Sequence, residues 1–375
     1  MARTNTSTYY DYRLGRRKPK KRRLSSSMLL FLCDTIVFVA TILLAAAIVV
    51  CLLTPNISPE KMGILSIVVL AAPIIYIAEI ILSLYWILRW RWNFAVFSLI
   101  FVVAGLFSIG KYYRLDFKQK AEVKINERHY TKVMSYNIAT AASKALIDSI
   151  KSVRPNILCL QEYLSDHKEI WKTLGSNYNS TCKDNTSFSC EIFSRYPILK
   201  QGLIDTLPRT NALWADIKIQ NDTVRVINLH LKSTTITTQD MQFVEEHEYI
   251  LDSSRTSKVK DMVKRLTQSN IKRAYQSQSI AEFIKNSPHK KIIVCGDFND
   301  VPLSYCQNTI SDNLQNTFIE AGSGYSYTFA GFFKLLQIDY MLCSEHFEVV
   351  SYNVDHSLNF SDHYPIISRL KLNKK

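Results

Sequence analysis

The chain has 375 residues, 47% of them hydrophobic, and a formal net charge of +14. That length exceeds what one compact core usually holds, so two or more units are expected. The charge is uneven. Residues 1–130 carry 18 Lys and Arg against 7 Asp and Glu, whereas residues 131–375 carry 28 against 25. A strongly basic nucleic-acid-binding surface therefore has little support in the C-terminal part. Eight cysteines are present without a C-x-x-C pair, which argues against a structural zinc site.

Residues 1–27 form a polar tail with a basic block from Arg13 to Arg23. An apolar run, Met28 to Leu53, follows directly, so the block reads as a topology signal that keeps the N-terminus cytoplasmic. The run is long enough to cross a bilayer. It is too long for a signal-peptide core and has no small-residue cleavage site, so an anchor is expected. A second run spans Ile64 to Leu88, where Pro73 would kink a helix without preventing a crossing. A third, Phe94 to Gly110, is short for a span. The connection Arg89-Trp90-Arg91-Trp92 combines cytoplasm-favouring arginines with interface-favouring tryptophans. Three crossings make this an integral membrane protein with residues 111–375 outside the cytoplasm. Lys111, Arg114, Lys118 and Lys120 count against that topology. Asp34, near one end of its run, reads as a snorkelling side chain. Glu79 lies deeper and reads as a partner for a neighbouring helix.

Residues 111–130 read as a polar linker. From Thr131 strands and helices alternate, the pattern of an α/β layered domain over 131–375. Strands are expected at 132–137, 156–160, 224–231, 291–295 and 337–343, with helices at 143–153 and 261–284. Cys159, Cys295 and Cys343 fall in strands and read as core thiols. Cys182 and Cys190 lie close in a polar loop, and a disulfide between them is an open alternative that depends on an oxidising compartment.

The strands share one feature: polar residues at their ends. The first ends at Asn137 and the second at Gln161-Glu162. The third carries Asn228 and His230, and the fourth closes on Gly296-Asp297-Phe298-Asn299-Asp300. Asp339 lies on a fifth, and Ser361-Asp362-His363-Tyr364-Pro365 forms a sixth segment. A single strand-terminal Asp or Asn often only caps a turn. Six in succession indicate a site at one edge of the sheets, where α/β folds gather functional groups. Glu162, Asp297, Asp339 and Asp362 are hard oxygen donors, which suit Mg²⁺ or Mn²⁺ better than Zn²⁺. His230 and His363 can donate to a phosphoryl oxygen or move a proton.

These segments resemble the endonuclease/exonuclease/phosphatase superfamily, the fold of deoxyribonuclease I. The resemblance rests on Met-Ser-Tyr-Asn at 134–137, Gln-Glu at 161–162, Phe-Ser-Arg-Tyr-Pro-Ile at 193–198 and Asn-Leu-His-Leu-Lys-Ser at 228–233. It continues through Gly-Asp-Phe-Asn-Asp at 296–300, Ile-Asp-Tyr at 338–340 and Ser-Asp-His-Tyr-Pro at 361–365. It covers nearly all of 131–375 and none of 1–130. It implies a four-layered α/β/β/α sandwich and a metal-dependent phosphoesterase. It further implies Glu162 as the principal metal ligand with Asn137 beside it, and Asp362 as a second acidic group near the metal. Asp297 would activate the attacking water, and Asn299 would hold the phosphate. His363 would contact the scissile phosphate, with its tautomer fixed by Asp339. His230 matches a position that is His in deoxyribonuclease-like and sphingomyelinase-like members and Tyr in abasic-site nucleases.

The substrate is left to the loops, so nucleic acid and a phospholipid headgroup both stay open. The insertion from Ser233 to Asn270 reads as a helix pair with oppositely charged faces, Glu245, Glu246 and Glu248 against Arg255, Lys258, Lys260, Lys264 and Arg265. The aromatic loop Gly322 to Phe329 could stack on a base or enter a lipid surface. Arg195 could reach the site or pair at the surface, Lys232 reads as a solvated charge, and Arg273 and Gln276 read as packing residues. Two other readings are a non-catalytic scaffold that kept the fold and an accessory domain of a membrane signalling or transport protein. Oligomeric state is not legible.

Overall fold

Strands that are buried at every position need a layer on each face. Ile157–Gln161 and Ile292–Asp297 have that pattern, and the computed structural model shows both layers. It describes residues 26–115, 130–164, 171–174, 178–181, 190–206, 208, 211–234, 240, 243, 253–331 and 334–373. The basic tail, Cys182 and the acidic cluster Glu245–Glu248 lie outside them.

The chain begins with α1 (Ser26–Leu53), then the short α2 (Pro59–Met62) and α3 (Leu65–Val68). The helices α4 (Ala72–Leu88) and α5 (Trp92–Ile109) follow. Three helical stretches are long and apolar enough to cross a membrane: Met28–Asn56, Leu65–Leu88 and Trp92–Ile109. Pro73 acts in the first turn of α4, where its missing N–H costs nothing, and a 3-10 turn at Val69–Ala71 absorbs the irregularity. Asp34 has partners on the connection after α4. Arg89 grips its carboxylate at two points, Nε to Oδ1 and Nη2 to Oδ2, both 3.0 Å. Tyr85 donates to it at 2.6 Å, and Arg91 approaches to 3.7 Å. Glu79 is fully buried and accepts from Ser98 of α5 at 2.6 Å, the neighbouring-helix contact expected of it.

Lys111 to Arg114 are not linker. Tyr113–Arg114 is a strand, β1, and it pairs with Gly324–Tyr325. The catalytic-type domain then holds two six-stranded sheets. The first contains β2 (Thr131–Asn137), β3 (Ile157–Gln161), β4 (Asn179–Ser180) and β5 (Cys190–Ser194), with β13 (Phe347–Val354) and β14 (Ile366–Leu372). Its order is β13-β14-β2-β3-β5-β4. The second contains β6 (Ile198–Leu203), β7 (Asn211–Ile219), β8 (Asp222–His230), β9 (Ile292–Asp297), β10 (Gln315–Asn316) and β12 (Asp339–Cys343). Its order is β10-β12-β9-β8-β7-β6. The remaining strand, β11, is Gly324–Tyr325.

Between the sheets lies an apolar layer including Val133, Cys159, Ile192, Ala215, Val226, Cys295 and Met341. Outside the first sheet, α6 (Lys144–Val153) buries Leu146, Ile147 and Ile150. Its N-cap, Ser143 Oγ accepting from Leu146 N at 3.1 Å, contributes about 1 kcal/mol. Each buried aliphatic contributes roughly 1.5–3 kcal/mol, so packing decides where α6 sits. Outside the second sheet, α7 (Ser253–Lys285) and α8 (Tyr305–Ile310) supply Ile280, Cys306 and Ile310. A last short helix, α9 (Thr317–Ala321), packs beside β12 and β13. These are the four layers of the α/β/β/α sandwich. Of the expected helix pair over 233–270, Asp240 and Phe243 are helical and α7 follows from Ser253, with Arg265 paired to Asp240 at 2.7 Å. Cys190 is buried with its Sγ 3.3 Å from Asn211 O, and its suggested partner Cys182 lies outside the described residues.

A buried amide pair fixes the sheets relative to each other. Gln161 of the first sheet donates to Asn228 Oδ1 of the second at 2.6 Å, and Asn228 donates to Leu160 O and Glu191 O. In a dry interface an unpaired amide costs more than a paired one gains, so this pair allows one sheet registry.

Candidate active site

Register brings the site together. In the second sheet Asp339 lies opposite Asp297, and Asp297 lies opposite His230. Three adjacent strands thus present Asp, Asp and His in one row. In the first sheet Asn137 lies opposite Gln161, and Glu162 follows at the same edge. Because the sheets pack face to face, the two rows meet.

Asp297 is the centre. Its Oδ2 accepts from Asn137 Nδ2 and from Asn299 Nδ2, both at 3.0 Å, and its Oδ1 accepts from the backbone N–H of Asn299 at 2.8 Å. The Nε2 atoms of His230 and His363 lie 3.7 and 3.9 Å from the same Oδ2. Asn299 also donates to Leu231 O, which ties the loop after β9 to the end of β8. Glu162 is partly exposed, its Oε1 3.3 Å from Asn137 Nδ2 and 3.7 Å from His230 Nε2. Asn137 Oδ1 accepts from Ala139 N. Asn137 thus bridges Glu162 and Asp297 through its N–H₂.

Two of these residues have unusual backbones: Glu162 and Asn299 have φ of 55° and 52°. Asn tolerates the left-handed region, whereas Glu is strained there, and such strain collects at functional sites. Gly296 sits at φ 138°, and a Cβ there would lie 2.0 Å from Leu229 O. The Gly before Asp297 is therefore demanded by the close approach of β8.

His363 Nδ1 lies 2.9 Å from Asp339 Oδ2, and both residues are buried. Asp339 is held by Thr328, whose Oγ1 accepts from the backbone N–H groups of Ile338 and Asp339. Burial works against a charged His363, but the Asp339 and Asp297 carboxylates prevail and raise it to about 10. The pair therefore carries its proton on the imidazole. Asp362 is exposed, its carboxylate accepting from Ser361 Oγ at 3.3 Å. It reaches His363 only as a nearby charge.

Donor atoms of Asp297, Asp339 and His363 lie within 4.8 Å of one another, a set that could hold a metal ion. Among the described residues no Lys or Arg forms an ion pair with Glu162, Asp297 or Asp339. Glu162, paired with no Lys or Arg among the described residues, is a hard oxygen donor suited to a divalent metal.

Arg273 and Gln276, expected as packing residues, support the site from behind. Arg273 is fully buried, donating to Asp300 Oδ2 at 3.2 Å, to Lys232 O at 2.7 Å and to Asn270 Oδ1. Gln276 accepts from Lys232 N at 3.0 Å. Together they clamp the loop after His230, a role that their one-turn spacing on α7 allows. Arg195 stacks over the Tyr178 ring at 5.0 Å. Tyr325 of the aromatic loop packs among residues of the apolar N-terminal helices, and Phe329 lies edge-on to His363 at 5.2 Å.

Comparison with known proteins agrees with this geometry. Residues 134–363 match the model of the endonuclease/exonuclease/phosphatase family, and residues 34–112 match a domain of unknown function. No curated protein matches the chain. Among solved structures, an endonuclease/exonuclease/phosphatase from Bacteroides vulgatus is 17% identical over 65% of this chain and 99% of its own, with a TM-score of 0.48. Truncated Caenorhabditis elegans TDP2 is 17% identical over 64% and 98%, TM-score 0.46. The human Nocturnin catalytic domain is 20% identical over 65% and 95%, TM-score 0.44. The family model spans more than half of the chain and contains every site residue described above, so this chain belongs to the endonuclease/exonuclease/phosphatase family and is a hydrolase of phosphoric ester bonds.

Proposed function

We propose that the chain is a membrane-anchored phosphodiesterase that works with Mg²⁺ or Mn²⁺. The observation that carries this reading is the convergence of Glu162, Asn137, His230, Asn299 and the His363–Asp339 pair on one buried carboxylate, Asp297. Glu162, with Asp297 behind it, is the group left to hold the cation, because Asp339 is already engaged by His363 and Asp362 stands apart. When bound, the cation supplies charge neutralisation at the phosphoryl group.

The chain's own residues account for the rest. Asp297, held in one orientation by two amides and a backbone N–H, accepts the proton of the attacking water as the new O–P bond forms. Asn299 and Asn137 donate N–H groups beside it. His363, kept protonated by Asp339, donates Nε2–H to a phosphoryl oxygen where charge builds. His230 is the remaining donor for the departing oxygen as its P–O bond breaks.

Anchoring would use the three apolar helices. The Asp34–Arg89–Arg91 group belongs to the end of the bundle away from the catalytic domain, and in the sequence the basic block precedes the first apolar helix. The positive-inside rule then puts the N-terminus in the cytoplasm and the catalytic domain on the opposite side. The test is hydrolysis of bis-p-nitrophenyl phosphate by the full-length protein in nanodiscs, with and without Mg²⁺ or Mn²⁺, beside Glu162→Gln and His363→Ala. Metal-dependent turnover lost in both variants is expected. A folded protein that binds metal and hydrolyses nothing would favour the scaffold reading.

A further inference from the structure

The catalytic edge is built onto the ends of the membrane helices. One apolar cluster contains Ile48 and Cys51 of α1, Val69 before α4, and Ala72, Ile75 and Tyr76 of its first two turns. It also contains Val301, Leu303 and Ile338 of the catalytic domain. Ile338 immediately precedes Asp339, and Val301 follows Asn299 by two residues. Adjacent Cα atoms are 3.8 Å apart, so the catalytic loops are within a residue or two of groups packed on the helix ends.

A second connection is made through backbone. Three residues after α5 ends, Tyr112 O accepts from Ser326 N at 3.3 Å, and β1 pairs with β11. Three residues beyond Ser326, at most about 10 Å of extended chain, Phe329 bridges to His363. A third is a buried polar chain: Asn270 donates to Ser66 of α3, Arg273 donates to Asn270 and Asp300, and Asp300 follows Asn299. All three connections are on the face where α1 and α5 end and α4 begins.

The headgroup layer of a bilayer is roughly 5–8 Å deep on each side of the hydrocarbon. Groups seated directly on the helix ends are therefore at or just above headgroup level. We propose, resting on the phosphodiesterase reading above, that the substrate is a phosphodiester carried by a lipid of the same membrane, taken at headgroup depth. A nucleic-acid polyanion fits less well. Binding it needs several unpaired Lys or Arg along the phosphate track. Residues 131–375 carry nearly balanced charge, 28 Lys and Arg against 25 Asp and Glu.

The experiment reconstitutes the full-length protein in vesicles of digalactosyldiacylglycerol, which has no phosphate, with palmitoyl-oleoyl phosphatidylcholine or phosphatidylglycerol at rising mole fraction. Hydrolysis of bis-p-nitrophenyl phosphate is followed at constant total lipid. The expected result is competition: the apparent KM rises at least threefold as phospholipid rises from none to half of the lipid, with kcat unchanged. Glycerophosphocholine and glycerophosphoglycerol in solution at the same bulk concentration should have no such effect. Unchanged kinetics at every phospholipid fraction would overturn the proposal, as would stronger competition by a single-stranded oligonucleotide than by phospholipid. Absence of bis-p-nitrophenyl phosphate hydrolysis in the phosphate-free vesicles would instead overturn the phosphodiesterase reading on which it rests.

Discussion

His363 Nδ1 is 2.9 Å from Asp339 Oδ2, while the opposite ring nitrogen points at Asp297 from 3.9 Å. One carboxylate sets the tautomer and charge of the imidazole, and the other receives its reactive edge. Asp339→Asn and His363→Ala should each lower kcat on bis-p-nitrophenyl phosphate by about 10²–10⁴-fold, with KM little changed. The double variant should be no worse than the poorer single one, because groups acting as a unit are not additive. Multiplicative losses in steady-state kinetics would show that the two act independently.

The same pair makes a prediction about pH. His363 is raised from 6.5 to about 10 in the folded protein. A raised cationic group contributes stability that is fully present below its unfolded value and disappears as pH rises through its folded value. In metal-free protein the difference in melting temperature between wild type and His363→Gln should be largest below pH 6.5 and shrink toward pH 10. A difference that grows with pH would rule out the protonated pair.

Glu162→Gln removes the exposed carboxylate but keeps the shape of the site. Wild type should gain thermal stability with Mn²⁺ or Mg²⁺, about 2.7 kcal/mol at one hundred times Kd. The variant should lose most of this gain and keep its metal-free melting temperature. Calorimetric scans with and without metal would decide, and an undiminished metal response would move the ligand role to Asp297, Asp339 and His363.

Gly296→Ala would drive a Cβ into Leu229 O. Two strands must separate or Asp297 must shift, so activity should fall by at least 100-fold even where the protein still folds, since a displacement of about 1 Å can cost that much. Normal kinetics for this variant would mean that the β8–β9 contact relaxes without moving Asp297.

Arg273→Met leaves Asp300, whose carboxyl burial already pushes up, without its guanidinium. Removing one partner of a buried pair typically costs about 3–5 kcal/mol. Chemical denaturation should show that loss, and adding Asp300→Asn should restore part of it. No recovery in the double variant would place the value of Arg273 in its bond to Lys232 O instead.

The strand-end residues Asn137, Glu162, His230, Asp297 and Asp339 were legible because the first four close or follow an apolar strand and Asp339 opens one, a local pattern. The residues that hold them were not. Thr328 acts on Asp339 from a loop, Arg273 on Asp300 from a distant helix, and Gln161 on Asn228 from the other sheet. Each side chain alone has an ordinary polar character, and only the packed fold reveals its partner. The partner of Asp34 was hidden for the same reason: Arg89 follows another helix, 55 residues away. The three apolar runs were recognised by length, but no sequence signal marked Tyr113–Arg114 as a strand, because two residues are too few to show a period.

That short strand has a consequence for how this protein can be taken apart or recombined. With β1 hydrogen-bonded to β11, and Val301, Leu303 and Ile338 seated among residues of α1 and α4, the apolar helical segment is not a tether of arbitrary sequence. A chimaera carrying three unrelated apolar helices of equal length would present an unmatched strand edge and an open apolar seat next to Asp339. Modules that share a seam in this way must diverge together, so residues such as Ile48 and Ile338 are expected to change in step with each other.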